Sequence, residues 1–203
     1  VNLEAMRKIG LPFWLGGAYG SPEKVREALA DGAAGVQVGT AFALCEESAL
    51  VPEVRRALVR QALEGRASVF TDPVVSPTGF PFKVAKLEGT LSEEGVFANR
   101  RKVCDLGYLR EAYLKADGTI GYRCPAEPEA AFLAKGGDAA DIVGRKCICN
   151  GLFADIGLGQ VMPDGATEPC IVTLGDDYAN VGQFCHAGSV DYTAADVIRH
   201  LLG

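Results

Sequence analysis

Two short stretches of the sequence contain glycines at the end of an apolar run. The backbone N–H groups of such glycines can bind an anion. The first is FWLGGAYGSPEKV at residues 13–25, and the second is GVQVGT at residues 35–40. Glycine lets backbone N–H groups point outward and lets a bulky anion approach without a Cβ in the way. A short helix after Thr40 would direct its N-terminal amides at the same place. The pattern indicates a phosphate site, although tight turns alone would also use these glycines.

The residues around these glycines predict a β-α-β unit. Residues 11–15 form a continuous apolar run, which is typical of a strand buried on both faces. Ser21 and Pro22 then supply an N-cap and a first helical residue, and the helix stops near Gly32. Such units are parallel and right-handed in nearly all cases, so we expect the two glycine-containing strand ends to lie side by side.

The rest of the chain changes character near residue 68. A helix is predicted from Pro52 to Gly65, and another at the C-terminus with Thr193 as its N-cap. Residues 71–82 contain three prolines and predict an ordered loop, whereas residues 144–190 are glycine-rich and irregular. We therefore expect a boundary near residue 68, between the end of a sheet or barrel and a cap-like extension.

Composition restricts the partners and the compartment. The chain has 203 residues, 48% of them hydrophobic, and a formal net charge of −6. Lys and Arg are scattered, so neither nucleic acid nor an anionic membrane is an expected partner. No apolar stretch approaches the roughly 20 residues of a membrane-spanning helix. Seven cysteines cannot all pair as disulfides, which favours a reducing, cytoplasmic location.

Four cysteines in the predicted extension are candidate metal ligands, namely Cys104, Cys124, Cys147 and Cys149. Zn²⁺ bound by four thiolates would stabilise a region with little periodic core. The Cys-x-Cys pair is closer than the usual Cys-x₂₋₄-Cys spacing, and the other gaps are about twenty residues. We interpret the four as small buried thiols and assign no metal ligand, with the zinc site as the alternative.

The stretch PFWLGGAYGSPEKVREALADGAAGVQVGTAFALCEES resembles the last two strand–helix units of the nitronate monooxygenase family, formerly called 2-nitropropane dioxygenases. The family motif Gly-Val-Gln-x-Gly-Thr-x-Phe is intact from Gly35 to Phe42. The motif Ala-Gly-Gly-Ile-Gly is changed, with Gly16 at the family Ala, Gly17 at the first Gly and Ala18 at the second. Ala18 is tolerated there if its φ is negative. The later stretches TDPVVSPTGFPFKV, CDLGYLREAY, GYRCPAEP and GRKCICNGL resemble the C-terminal portion of some bacterial members.

This resemblance implies an α/β fold and an FMN cofactor. Residues 1–68 would be the C-terminal part of a (β/α)₈ TIM barrel, its last two strand–helix units. Residues 69–203 would be an irregular α+β extension. The implied FMN-binding residues come from the two glycine-containing loops: Gly17, Ala18, Gln37, Val38, Gly39 and Thr40.

The implied reaction is oxidation of an alkyl nitronate by O₂ through the flavin, which gives a carbonyl compound and nitrite. The resemblance places the catalytic His upstream of Val1, so we name no catalytic residue in this sequence. His200 suits the end of the last helix, and His186 matches no family position. We expect the N-terminal catalytic half to be missing and turnover by residues 1–203 alone to be weak or absent. The expected protein partners are that missing half or a second copy of the chain.

Two alternatives stay open. An FMN-dependent enoyl-ACP reductase-like oxidoreductase shares the phosphate motifs, and rapid flavin reduction by NADH or NADPH would favour it. A non-catalytic truncated module that docks to an N-terminal partner is the other. The segment SPTGFPFK also has two interpretations: its phenylalanines and Lys83 could cover a flavin or substrate, or the loop could pack on its own aromatics.

Overall fold

The computed structural model describes residues 2–203 and has a mixed α/β fold. Within those residues the strands form three two-stranded sheets, and no closed barrel is present. The chain divides into two compact units. The first unit combines the chain up to Val69 with Leu174–Gly203, and the second unit is Phe70–Thr173.

The helices and strands are short. The α-helices are α1 (Leu3–Ile9), α2 (Pro22–Ala30), α3 (Thr40–Ala43), α4 (Pro52–Leu63), α5 (Glu94–Asn99), α6 (Glu129–Ala134), α7 (Ile148–Asp155) and α8 (Ala194–Leu202). The strands are β1 (Trp14–Gly16), β2 (Gly35–Gln37), β3 (Val69–Asp72), β4 (Phe82–Ala85), β5 (Glu111–Leu114) and β6 (Ile120–Arg123). Two 3₁₀ helices span Ala139–Ile142 and Asp176–Phe184, and we call the latter the C-terminal 3₁₀ segment.

The first unit contains the predicted β-α-β arrangement. β1 and β2 pair in parallel, and α2 connects them. Phe13 and Leu15 are buried with Ala28 and Ala33, so one side of the two-stranded sheet packs against the crossover helix. The prediction of a strand at residues 11–15, buried on both faces, is wrong in extent and burial. The strand begins at Trp14, whose side chain is 60% exposed.

Local capping signals correctly predicted several helix ends. The Ser21 side chain accepts a hydrogen bond from the backbone of Lys24, with Pro22 as the first helical residue. Thr193 and Asp196 form a reciprocal capping box at the start of α8. Gly10 ends α1 in the left-handed conformation, with φ +74°. The stretch VNLEAMRKIG predicts a helix that ends at Gly10, and Val1 of that stretch lies outside the described residues.

The expected extension at residues 69–203 does not form one unit, because the chain returns to the first unit at Leu174. The C-terminal 3₁₀ segment packs against α3 and α4, and α8 packs against α2. The buried Tyr178 hydroxyl donates toward the Leu58 carbonyl at 2.9 Å and lies 3.0 Å from Gln61 Oε1. The Tyr192 hydroxyl donates to the Ala41 carbonyl at 2.7 Å. These contacts join residues more than a hundred positions apart, which no local pattern indicates.

The second unit is built around two small sheets and one apolar cluster. β3 pairs with β4, and an isolated bridge joins Val84 to Thr173. β5 and β6 form an antiparallel hairpin. The Asp117-Gly118 pair between them is a common turn signal, and Gly118 has φ +80°. The buried residues of the cluster come from β4, α7 and the loops around them: Val75, Val84, Leu91, Ile148 and Ile171.

Two predictions for residues 71–190 need correction. The segment 71–82 is a loop only in its middle, because its ends belong to β3 and β4. The segment 144–190 contains α7 and the C-terminal 3₁₀ segment, although we expected it to be irregular. Gly151 lies inside α7, where a Cβ would come 2.5 Å from the Ile171 side chain, so close packing explains this helix-breaking residue.

None of the helices formed by residues 2–203 has both the length and the apolar character needed to cross a bilayer.

We predict that Tyr178→Phe lowers the free energy of unfolding by about 1–2 kcal/mol, because the substitution leaves buried acceptors without a donor. Urea unfolding followed by circular dichroism measures this change. Tyr122→Phe is the matched control, since the Tyr122 side chain on β6 is exposed. Equal effects of the two substitutions would show that the Tyr178 hydroxyl does not fasten the C-terminal 3₁₀ segment.

We also predict that the free energy of unfolding depends on pH through Asp155. Burial raises the pKa of this carboxyl to about 7 despite contacts with Cys170 and Ile171. Between the unfolded and folded pKa values, the folded state keeps a proton that the unfolded state releases. Stability contributed by Asp155 is therefore lost as pH rises toward 7, by up to about 1.4 kcal/mol per pH unit. Denaturant unfolding at about pH 5 and about pH 8 should show a smaller decline for Asp155→Asn than for the wild type.

Candidate functional site

The two glycine-containing strand ends lie at the same edge of the β1–β2 sheet. The parallel register aligns Trp14 with Gly35, Leu15 with Val36, and Gly16 with Gln37. The loops that follow β1 and β2 therefore leave the sheet side by side, as the β-α-β pattern predicted. This edge is the place where a ligand can contact both loops.

The backbone at this edge is open. Gly16, Gly17, Gln37 and Gly39 are all exposed. A Cβ built on Gly17 or on Gly39 would meet no atom within 4 Å, so these two glycines do not merely relieve crowding inside the protein. Gly17 has φ +89°, which glycine adopts without strain. An anion can approach the backbone here without displacing a side chain.

We expected Ala18 to suit this loop only if its φ is negative, and this condition is not met. Its φ is +59°, and it is the one non-glycine residue with positive φ among residues 2–203. The left-handed conformation costs an L-residue such as alanine roughly 1–2 kcal/mol. The loop therefore keeps the backbone shape of a double glycine while one glycine is replaced. Strain of this kind is often found where a ligand-binding loop requires a particular shape.

Thr40 is the first residue of α3 and is buried. Its Oγ1 accepts a hydrogen bond from the Gly175 backbone N–H at 2.9 Å, so the side chain fastens the C-terminal segment to this loop. The hydroxyl proton remains available to an acceptor. α3 has only four residues, so the helix-dipole contribution expected after Gly39 is that of a single turn.

Two residues that the sequence did not indicate contact the first loop. The Gly20 backbone N–H donates to Asp177 Oδ2 at 3.2 Å, and Gln183 Nε2 donates to the Gly20 carbonyl at 3.0 Å. Both side chains come from the C-terminal 3₁₀ segment and fix the end of the loop before α2. Asp177 also brings a carboxylate to the loop, so an anion at Gly17 would bind near a negative charge. Separations of 157 and 163 residues leave no local signal for these contacts.

The other candidate residues make contacts of their own. In the SPTGFPFK loop of the second unit, the rings of Phe80 and Phe82 meet edge to face with centroids 5.2 Å apart. His200 packs edge-on against Phe184, and the exposed His186 lies 3.4 Å from Asp196. The Cys45 thiol is buried and donates to the Phe42 carbonyl at 3.1 Å.

A search with protein-family models returns no match to this chain, and a search of curated proteins returns none either. The family resemblance described above therefore stays a prediction.

Ala18→Gly tests the strain in the first loop. We predict that it raises the free energy of unfolding by about 0.5–1 kcal/mol, because relief of the left-handed strain exceeds the added entropy of the unfolded chain. Ala34→Gly is the control, because Ala34 is exposed and is not one of the residues with positive φ. That substitution should lower stability by up to about 1 kcal/mol. Denaturant unfolding of both variants provides the comparison. A lower free energy of unfolding for Ala18→Gly than for the wild type would show that Ala18 is not strained.

Proposed function

We propose that the edge formed by the loops after β1 and β2 binds the phosphate of FMN. We further propose that the chain is the C-terminal part of a (β/α)₈ enzyme that oxidises alkyl nitronates with O₂. The observation that carries the proposal is the parallel register, which brings Gly17 and Gly39 to one edge with open space at both. In (β/α)₈ barrels, the loops after the last two strands are a frequent phosphate site.

The residues at this edge suit a phosphate. The backbones of Gly17, Ala18 and Gly39 are exposed, and their N–H groups are the donors that bind phosphate in glycine-rich loops. Thr40 accepts from Gly175, and its hydroxyl still has a proton to donate. Gln37 and Val38, at the end of β2, would contact the ribityl chain of that cofactor. When bound, FMN supplies the redox chemistry of the reaction, and these residues hold and orient it.

The carboxylate of Asp177, hydrogen-bonded to the Gly20 backbone, brings to the first loop a negative charge that opposes binding of an anion. Two unit charges about 4 Å apart repel by roughly 4 kcal/mol at an effective dielectric constant of 20, and by less at longer distances. Hydrogen bonds to a charged group contribute about 1.5–3 kcal/mol each, so two or three backbone donors offset this repulsion. Affinity for a phosphate should therefore depend strongly on each donor and on added charge at the edge.

We assign no catalytic base within the 203 residues. The resemblance implies a His in a Gly-Gly-His motif that precedes Val1, and neither His186 nor His200 takes that role here. The proposed contribution of this chain is to bind the cofactor phosphate. Chemistry at the bound substrate would belong to the segment that carries the family's His.

Gly39→Asp tests the phosphate site without straining the backbone. Gly39 has φ −104° and precedes α3 as its N-cap, a position that suits aspartate. We predict that the substitution lowers FMN affinity at least about tenfold, or about 1.4 kcal/mol, because it adds a negative charge beside the phosphate. Binding of riboflavin, which lacks the phosphate, should not change. Flavin fluorescence titration measures both affinities.

Gly95→Asp is the matched control for this experiment. Gly95 lies in α5 of the second unit, and a Cβ there meets nothing within 4 Å. The substitution adds the same charge in the other unit, outside the two glycine-containing loops, and should leave FMN affinity unchanged. Equal affinity of Gly39→Asp and the wild type would exclude a phosphate at this edge. If NADH or NADPH reduces the bound flavin and no nitronate is oxidised, the reductase alternative would replace the proposed monooxygenase activity.

A further inference from the structure

The second unit contains a cavity of about 580 Å³. One wall is formed by residues of α5 and the two residues that follow this helix, and the other by residues between Met162 and Pro169. The volume is in the range of sites that hold small organic molecules. All of the lining residues lie within Phe70–Thr173, so the cavity belongs to one compact unit and shares no residue with the candidate FMN edge.

Backbone hydrogen bonds fix the second wall. The Met162 N–H donates to the Ala166 carbonyl at 2.8 Å, and the Glu168 N–H donates to the Gln160 carbonyl at 2.8 Å. An isolated antiparallel bridge lies in the same turn. These bonds hold the backbone of Met162 and Glu168 in place, so this wall of the cavity is formed before any ligand arrives.

An ion pair between buried side chains links the two walls. Arg100 Nε donates to Glu168 Oε1 at 2.5 Å, and the two side chains are only 2% and 0% exposed. A second atom of each group is unused: Arg100 Nη2 and Glu168 Oε2 are buried and have no hydrogen-bond partner. Burial raises the pKa of the Glu168 carboxyl although Arg100 favours its charged form, so one contact does not fully compensate the buried charge. The pair therefore keeps one unused donor and one unused acceptor.

The lining of the cavity suits an uncharged molecule. Its charged residues balance, because two arginines are matched by two carboxylates: Arg100, Arg101, Asp164 and Glu168. Apolar side chains, including that of the buried Met162, form other parts of the walls. Sites for small molecules typically combine apolar walls with a few polar groups that fix the orientation of the ligand. The lining therefore favours neither a cation nor an anion.

An amide group matches the unused atoms of the ion pair. Its carbonyl oxygen would accept a hydrogen bond from Arg100 Nη2, and its N–H group would donate to Glu168 Oε2. A carboxylate would satisfy the arginine but would bring a second negative charge to Glu168. An ammonium group would have the opposite mismatch. A ligand that presents an acceptor and a donor together is therefore the one that satisfies both buried atoms.

We propose that this cavity binds a small, uncharged organic molecule with an amide-type group, such as a carboxamide or a lactam ring, and that Arg100 and Glu168 recognise the amide. The two unused atoms are covered in the present arrangement. The ligand therefore reaches them after rotation of the Arg100 or Glu168 side chain, each of which has several torsions. The proposal does not depend on the function proposed for the first unit.

The cysteines of the second unit are not part of this site, because none of them lines the cavity. Cys124 and Cys147 are buried, as expected of small packed thiols, whereas Cys104 and Cys149 are partly exposed. Among residues 2–203, no three His, Cys, Asp or Glu side chains stand where a single metal ion could bind them. The alternative of a zinc site at these four cysteines therefore finds no support in the structure.

Binding of three related probes to the 203-residue chain provides the first test. On the same ring, benzamide carries an uncharged amide, benzoate a carboxylate, and benzylamine an ammonium group at neutral pH. We expect benzamide to bind at least about tenfold more tightly than either charged probe, because only the amide satisfies both buried atoms. Titrations followed by backbone amide NMR spectra measure the three affinities. They also show whether the signals of residues 95–101 and 162–168 shift, as binding in this cavity requires.

Glu168→Gln tests the recognition of the amide by the ion pair. The substitution keeps the size of the side chain but replaces a carboxylate oxygen by an N–H donor, and it leaves the positive charge of Arg100 unbalanced. We expect benzoate to bind this variant at least about tenfold more tightly than it binds the wild type, and benzamide to lose its advantage. Tighter binding of benzoate is a gain that a partly unfolded variant does not produce.

Gly95→Trp tests the position of the site by adding bulk at the α5 wall. A Cβ built on Gly95 meets nothing within 4 Å, and Gly95 is not one of the residues with positive φ. The substitution should lower benzamide affinity at least about tenfold. Ala98→Trp is the matched control, because Ala98 is exposed on the same helix and does not line the cavity. It should bind benzamide as the wild type does, and melting temperatures verify that both variants fold.

Three outcomes would overturn the proposal. The first is that the wild type binds none of the probes, or binds a charged probe as tightly as benzamide. The second is equal benzamide affinity of Gly95→Trp and Ala98→Trp, which would exclude this cavity. The third is an unchanged order of probe affinities in Glu168→Gln, which would show that the Arg100–Glu168 pair only joins the two walls. Failure of FMN to bind would leave all of these measurements unaffected.

Discussion

The parallel hydrogen bonding between β1 and β2 is the interaction on which the first unit depends. It aligns Gly16 with Gln37 and so brings both strand ends to one edge. The same register turns Leu15 toward the buried Ala28 of the crossover helix and leaves Trp14 exposed. A slip of one residue would exchange the faces of Leu15 and Trp14 and would also misalign the glycine-containing loops. Core packing and the candidate anion site therefore cannot be changed independently.

The C-terminal segment gives this edge its particular character. Thr40 and Gly20, one from each loop, are hydrogen-bonded to Gly175 and Asp177 respectively. These bonds immobilise the loops before any ligand arrives, which lowers the entropy lost on binding. They also introduce the carboxylate of Asp177, so the edge combines preorganised backbone donors with an opposing charge. Such an edge should discriminate strongly between ligands that satisfy several N–H groups and ligands that satisfy only one.

The sequence predicted those parts of the structure that depend on neighbouring residues. Capping by Ser21 and Thr193, and the parallel order of the first two strands, follow from local chemistry and from the handedness of the connection. The position of residues 174–203 could not be predicted, because contacts such as that of Tyr178 with Leu58 span 120 residues. The positive φ of Ala18 was missed for a related reason: alanine disfavours that conformation, and only the surrounding loop imposes it.

The second unit poses a different energetic problem. Its main apolar cluster is small, and its interior holds buried polar atoms without partners, on Arg100, Glu168, Asn150 and Asp155. Each such atom costs about 1–3 kcal/mol unless another group satisfies it, a total comparable with the stability of a whole domain. The apolar packing of this unit has to offset that cost, which leaves the unit little stability in reserve.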